Sequence, residues 1–203
     1  MTKTIINSTE NSFFKNLKKI YSNKNHRTNS KKTILDGPHL IQAFMDSGGE
    51  VISLVTDESI ISNEINLIIK KNSNKNIVTF SHELFTKISG LNSVTGLMAL
   101  IDIPADRKYK RESGFHLLLN NIQDPGNLGA ILRTNAASGN SLIFLSKGSC
   151  DLWAPKTIRG SQGAQFFLRC FENQDLFALI ESFNLPTYSL SMNGDSIFNH
   201  QFD

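Results

Sequence analysis

The sequence predicts an α/β protein made of two consecutive units, the second built on a mostly parallel sheet. Three observations carry this. Short apolar runs alternate with segments of helical period from Thr33 to Pro104. A polar, charged stretch at residues 105–113, Ala-Asp-Arg-Lys-Tyr-Lys-Arg-Glu-Ser, then interrupts them as a linker. The alternation restarts at Phe115 and runs to Leu190, and strand–helix–strand order favours parallel pairing.

Residues 1–9 have no periodic pattern and are expected to be loose. Phe13, Phe14, Leu17 and Ile20 recur at helical spacing, which predicts a helix over 10–21. The polar, basic stretch 22–31 reads as a flexible loop. A short strand at Thr33–Leu35 leads through Asp36-Gly37 into a helix that Pro38 opens and Ser47-Gly48-Gly49 breaks. A strand at Val51–Val55, a helix over 59–71 and a strand at Ile77–Phe80 follow. Ser81 caps a helix to Ile88, with Glu83 in its first turn, and the strand Leu97–Ile103 ends at Pro104. The second unit reads as a strand at His116–Leu119, a helix over Leu128–Ser138 stopped by Gly139, and a strand at Leu142–Leu145. A helix over 154–160, a strand at Phe166–Leu168, a helix over 174–183 and a strand at Thr187–Leu190 complete it.

The chain has 203 residues, 39% hydrophobic and 19% charged, enough to bury a core. No apolar run approaches membrane-spanning length, and the start lacks the features of a targeting peptide. The two cysteines, Cys150 and Cys170, fit a reducing, cytoplasmic setting better than a disulfide scaffold. His26, His39, His82, His116 and His200 show no paired metal-ligand spacing, so no metal is expected. Ser149 and Ser161 lack a nucleophile context. Trp153 and the phenylalanines read as core.

Charge is uneven. Residues 1–35 hold eight Lys/Arg against Glu10 alone, net +7, whereas the other 168 residues carry a net −4. A basic leader on a mildly acidic body points to an arm that meets polyanion, with Lys15, Lys18, Lys19, Arg27, Lys31 and Lys32 as the contacting residues. The alternative is a solvated leader with ordinary surface lysines.

The most informative stretch is 117–139. It is a strand, a tight polar turn and a helix start, where free backbone N–H groups favour phosphate. The glycines Gly126 and Gly129 do not make the spacing of a dinucleotide fingerprint. Asn127 offers donors and an acceptor, and Arg133 can grip phosphate with two parallel bonds. Taken singly, Asn127 also fits a helix cap and Arg133 a surface cation.

Asn121-Ile122-Gln123-Asp124-Pro125-Gly126-Asn127-Leu128-Gly129 through Arg133-Thr134 closely resembles the first motif of SpoU (TrmH-like) methyltransferases. Residues 151–164, Asp-Leu-Trp-Ala-Pro-Lys-Thr-Ile-Arg-Gly-Ser-Gln-Gly-Ala, resemble the second. Leu35-Asp36-Gly37-Pro38-His39-Leu40-Ile41 and Thr95-Gly96-Leu97 sit where the small ribosomal-protein-like, RNA-binding domain of such enzymes has its turns. The resemblance implies that residues 1–104 are this substrate-binding domain, 105–113 a linker and 114–203 a SPOUT-type, trefoil-knot methyltransferase domain. It further implies transfer of a methyl group from S-adenosylmethionine to a ribose 2'-hydroxyl of structured RNA, ribosomal in preference to transfer RNA, by a complete enzyme that is a homodimer.

Carried over by motif position, Arg133 acts at the 2'-hydroxyl and Asn127 supports it, while Lys156 and Arg159 contact RNA phosphate or help assemble the site. Arginine side chains keep their proton, so a general base is an odd role for one. Either a nearby RNA phosphate eases the proton transfer or Arg133 only holds that phosphate; both remain open. Some relatives carry a Glu shortly after the Gly-Ala pair, where this sequence has Gln165-Phe166-Phe167. Relatives also continue with a Gly-Asn-Glu-Gly-like loop and a Ser-x-Asn-rich turn that grip the cofactor. This sequence reaches Asp203 about where that segment would begin, so the second domain is expected to be incomplete. The cofactor-binding residues then stay unassigned and the chain alone is expected to be inactive. The alternative is a non-catalytic RNA-binding protein derived from such an enzyme.

Overall fold

In the computed structural model the described residues are 5–91, 93–105, 115–140, 142–183, 186–190, 193–194, 196 and 199. The first unit contains β1 (Ile5–Ile6), α1 (Ser12–Ser22), α2 (Lys24–Ser30), β2 (Lys32–Asp36), α3 (Pro38–Asp46), β3 (Val51–Asp57), α4 (Asn63–Lys71), β4 (Asn76–Phe80), α5 (His82–Ser89) and β5 (Leu97–Asp102). Its sheet runs β1-β4-β3-β5-β2; β1, β4 and β3 are parallel, and β5 is antiparallel to both β3 and β2. The second unit contains β6 (His116–Leu119), α6 (Pro125–Ala137), β7 (Leu142–Ser146), α7 (Pro155–Ser161), β8 (Arg169–Gln174) and α8 (Leu176–Phe183). Its strands β6-β7-β8 are all parallel.

Period-two patterning explains the layers. Along β5, Leu97, Ala99 and Ile101 face one core, whereas Met98 and Leu100 face another that holds Phe14, Leu17 and Ile20 of α1 and Leu84, Phe85 and Ile88 of α5. Along β7, Ile143 and Leu145 join the same core as Leu97, and Leu142 and Phe144 pack against Phe171 and α8. The inner faces of the two sheets therefore contribute to one apolar cluster, which also buries Leu128, Leu132, Trp153 and Ile158.

Several sequence expectations need correction. Ile5–Ile6 is a strand on the sheet edge, with Ile5 opposite Thr79, because Ser81 N donates to Ile6 O at 3.0 Å; two residues are too few to show a period. The expected loop 22–31 holds the helix α2. Asn23 caps it by accepting from His26 N, and Lys31 ends it at φ 52°. α2 is polar on nearly all sides, so it has no apolar stripe to read. The expected strand Phe166–Leu168 is instead a 3₁₀ turn, Ala164–Phe166, followed by β8 from Arg169. Phe166 turns inward onto Phe44 (5.2 Å between ring centroids) and Trp153 (6.4 Å). Residues 186–190 form no strand. α4 starts at Asn63 rather than 59, where Ser62 accepts from Ile65 N, and α6 starts at Pro125 rather than 128. Apart from Ala105, the linker expected at 105–113 lies outside the described residues, as does His200.

One contact sets the second unit's geometry. A Cβ on Gly129 of α6 would lie 2.6 Å from the carbonyl carbon of Gly160 on α7 and 2.7 Å from Ser161 N. The two helices therefore touch backbone to backbone, a spacing that only glycine permits. Gly129→Ala should destabilise the protein by about 1–3 kcal/mol, because backbone on the far side cannot yield. Urea unfolding should show a lower midpoint; an unchanged or raised midpoint would mean that the helices are not held this closely.

Candidate functional site

The turn from β6 into α6 carries the first motif. Its backbone is pinned from β7 and the loop behind it: Asn121 N donates to Ser146 Oγ at 2.8 Å, and Cys150 N donates to Ile122 O at 2.8 Å. Gln123 Nε2 donates to Asn121 Oδ1 and Gly148 O, both at 2.6 Å. Asn121 itself takes a left-handed φ of 54°. Asp124 caps α6, accepting from Asn127 N at 2.8 Å, and Pro125 fills the first helical position, where no N–H is needed. Asn127 is thus not the cap. Its side chain is exposed and lines a shallow depression with Asn121, Ile122, Gln123, Asp124, Ala130 and Ile131. A second depression continues along α6 past Leu117, Thr134, Asn135 and Ser138.

Arg133 is exposed and lines neither depression. Helix geometry explains why: six residues rotate Arg133 by roughly 120° from Asn127 and carry it about 9 Å along the axis. It shares a face with Gly129, four residues earlier, and so stands one turn beyond the contact with α7. The structure therefore places Arg133 towards the second motif and Asn127 on the groove side of the same helix.

In the second motif, Pro155 opens α7 and Lys156 is exposed. Ser161 and Gln165 are buried and hydrogen-bonded to each other, and Gln165 Nε2 also reaches Leu152 O at 3.4 Å. The amide of Gln165, uncharged, thus satisfies buried groups in the stretch where some relatives are expected to carry a carboxylate. Arg159 is only half free. Its Nη1 lies 3.3 Å from the Tyr21 hydroxyl and 3.6 Å from Asp36 Oδ2, a carboxylate buried beneath it. Burial, followed by the Asp36 charge, pushes the Tyr21 phenol up to about 12.

The basic leader is not an arm. Residues 5–35 fold into β1, α1, α2 and most of β2, and α1 buries Phe14, Leu17 and Ile20. Arg27, expected to contact RNA, is 5% exposed and committed internally to Asp151. Lys15 pairs with Glu10 at 2.5 Å and Lys32 with Asp102 at 2.6 Å, both at the surface, where such pairs exchange readily with solvent and contribute little. Lys18, Lys19 and Lys31 are exposed. Sequence reasoning missed the Arg27–Asp151 and Asp36–Arg159 links, since no local pattern signals a pair 124 residues apart. It also missed a pair in the first unit, His82 Nδ1 on the buried Asp57 at 2.7 Å, whose carboxylate also accepts from Ser59. Among the described residues no group of His, Cys, Asp or Glu is placed to hold a metal ion, and no helix is long and apolar enough to cross a membrane.

Comparison with known proteins agrees with this geometry. Residues 114–203 match the SpoU rRNA Methylase family. The chain is 28% identical over 184 residues to the Bacillus subtilis 23S rRNA (guanosine(2553)-2'-O)-methyltransferase RlmP, covering 90% of this chain and 66% of that protein. A crystal structure of an RNA 2'-O ribose methyltransferase superposes with a TM-score of 0.75 at 27% identity, covering 90% of this chain and 71% of that one. The SpoU methyltransferase AviRb from Streptomyces viridochromogenes, in complex with AdoMet, shares the fold, with a TM-score of 0.76 at 21% identity over 85% of this chain and 66% of that one. The chain spans about one third to two thirds of the length of the curated relatives it matches. With the first motif at the head of α6 and the second on α7, it is the second unit of the chain, residues 114–203, that matches the SpoU rRNA Methylase family.

Proposed function

We propose that this protein serves methyl transfer from S-adenosylmethionine to a ribose 2'-hydroxyl of structured RNA, ribosomal rather than transfer RNA. The observation that carries the reading is the first motif: Asn127 and Arg133 are both exposed on α6, beside a second motif held one glycine contact away. The names of relatives such as RlmP favour ribosomal RNA as substrate. The methyl donor is supported by the family and by the AdoMet complex of AviRb. The two depressions on α6 are open grooves rather than enclosed pockets.

What the chain's own residues do follows from their chemistry. A guanidinium donates and does not accept, so Arg133 holds an RNA phosphate and aligns the ribose rather than removing the 2'-proton. Fixing the 2'-oxygen in an attack geometry is itself a large part of the barrier. Asn127 offers its amide to the sugar or base on the groove side. Lys18, Lys19 and Lys31, with Lys15 and Lys32 released from their surface partners, give the first unit its grip on RNA, and Lys156 extends that grip onto α7. The open grooves favour one rival, an RNA-binding protein without catalysis, and the assay below separates the two.

In the full-length protein, Arg133→Ala should abolish transfer of labelled methyl groups to ribosomal RNA. Its folding stability should stay within about 0.5 kcal/mol, since the side chain is exposed and unpaired among the described residues. Near-normal turnover by the folded variant would exclude the assignment, and RNA binding without turnover by the wild type would favour the rival. Replacing Lys18, Lys19 and Lys31 together by Ala should flatten the slope of log affinity against log salt by about 2–3, as expected for three lost phosphate contacts. An unchanged slope would remove these lysines from the interface.

A further inference from the structure

We propose that Arg27, acting through Asp151, is a positioning residue that fixes the second motif relative to the RNA-gripping face of α1 and α2. The inference deepens the proposed function and rests on it. One guanidinium performs three tasks here. Its Nη1 donates to the carbonyls of Ile20 at 2.7 Å and Tyr21 at 2.9 Å, in the last turn of α1, where helix carbonyls have no partner of their own. Its Nε donates to Asp151 Oδ2 at 2.8 Å, and its Nη2 forms an ion pair with the same oxygen at 2.7 Å. The residue itself belongs to α2. The end of α1, the body of α2 and the first residue of the second motif therefore meet at one side chain.

Asp151 passes that constraint onward. Its other oxygen accepts from Trp153 N at 2.9 Å, and its backbone carbonyl accepts from the buried Thr157 hydroxyl at 2.8 Å, which orients the first turn of α7. Trp153 O in turn accepts from Thr33 Oγ1 of β2 at 2.7 Å. On the other side of α7, Asp36 holds Arg159 while accepting from the Tyr21 hydroxyl at 3.0 Å and from Thr95 Oγ1 at 2.8 Å. Lys18, Lys19, Lys24 and Lys31 stand exposed on α1 and α2 or at their ends. RNA held by these lysines thus meets Lys156 and Arg133 at a spacing that the Arg27 joint determines.

The pair is poorly explained as a stabiliser alone. The Arg27 and Asp151 side chains are 6% and 12% exposed, and removing two charges from water costs about as much as their attraction returns. Contact between the units does not depend on it, because Leu40, Phe44, Trp153, Ile158 and Phe166 pack together in the shared core. What apolar packing does not supply is direction, and three directed hydrogen bonds and an ion pair from one planar group do.

The test uses Arg27→Met in the full-length protein, with kcat and KM for RNA measured beside amide hydrogen exchange. The expected result is a kcat at least tenfold lower with KM for RNA within twofold. Amides of residues 157–163 should exchange at least tenfold faster while those of β3 and β5 keep their protection. Asp151→Asn, which keeps an oxygen facing Arg27, should lose less on both readouts than Asp151→Ala, and this pair decides the matter if the Met variant does not fold. Unchanged kcat and exchange would overturn the proposal. So would exchange rising equally in β3 and β5, which is the mark of a merely stabilising contact. If the wild type transfers no methyl group to any RNA, the functional reading fails, and the exchange pattern alone still decides whether Arg27 positions the second motif.

Discussion

The close approach of Gly129 to Gly160 is the constraint on which the second unit depends. With no Cβ on Gly129, α6 and α7 meet at backbone distance, and the two motifs they carry become neighbours. The consequences run outward from that contact. Leu128 and Leu132, on either side of Gly129 in the helix, are driven into the shared core, so α6 presents Asn127 and Arg133 outward on separate flanks. A larger residue at Gly129 would push the helices apart and widen the spacing between Arg133 and the second motif, whereas a Cβ at Gly160 would meet its neighbours at about 3.5 Å, ordinary contact.

The first unit is coupled to this arrangement through polar groups as well as through the core. Its sheet buries both faces, one against α1 and α5 and the other against α3, α4 and the second unit. The apolar surface holds the units together, and the charged pairs Arg27–Asp151 and Asp36–Arg159 orient them. Of the two second-motif partners, Asp151 precedes α7 and Arg159 lies in its last turn. The element that stands beside the first motif is thus also the one tied to α1 and α2.

Much of the fold was legible because the strands alternate cleanly: β5 shows its two faces in Leu97-Met98-Ala99-Leu100-Ile101, and Ser81, Pro38 and Gly139 announce their helix ends. α2 was not legible, since a helix with no apolar stripe looks like a loop, and its one buried side chain is an arginine. Phe166 was misread because a short apolar run fits a strand and a buried turn equally well until its partners, Phe44 and Trp153, are known. In the site, motif spacing located Asn127 and Arg133 on one helix start. That they point to different flanks required the true start of α6 at Pro125 and the position of α7. The long-range links of Arg27 and Asp36 leave no trace in local sequence.

The central claim is that this chain, through Arg133, serves methylation of RNA ribose. It is tested most directly by mapping 2'-O-methylated nucleotides across total RNA from cells with and without the gene. The account predicts that at least one ribose methylation, in ribosomal RNA, disappears without the gene and returns with the wild-type copy but not with Arg133→Ala. Identical maps in the presence and absence of the gene, or full restoration by the Arg133 variant, would contradict it.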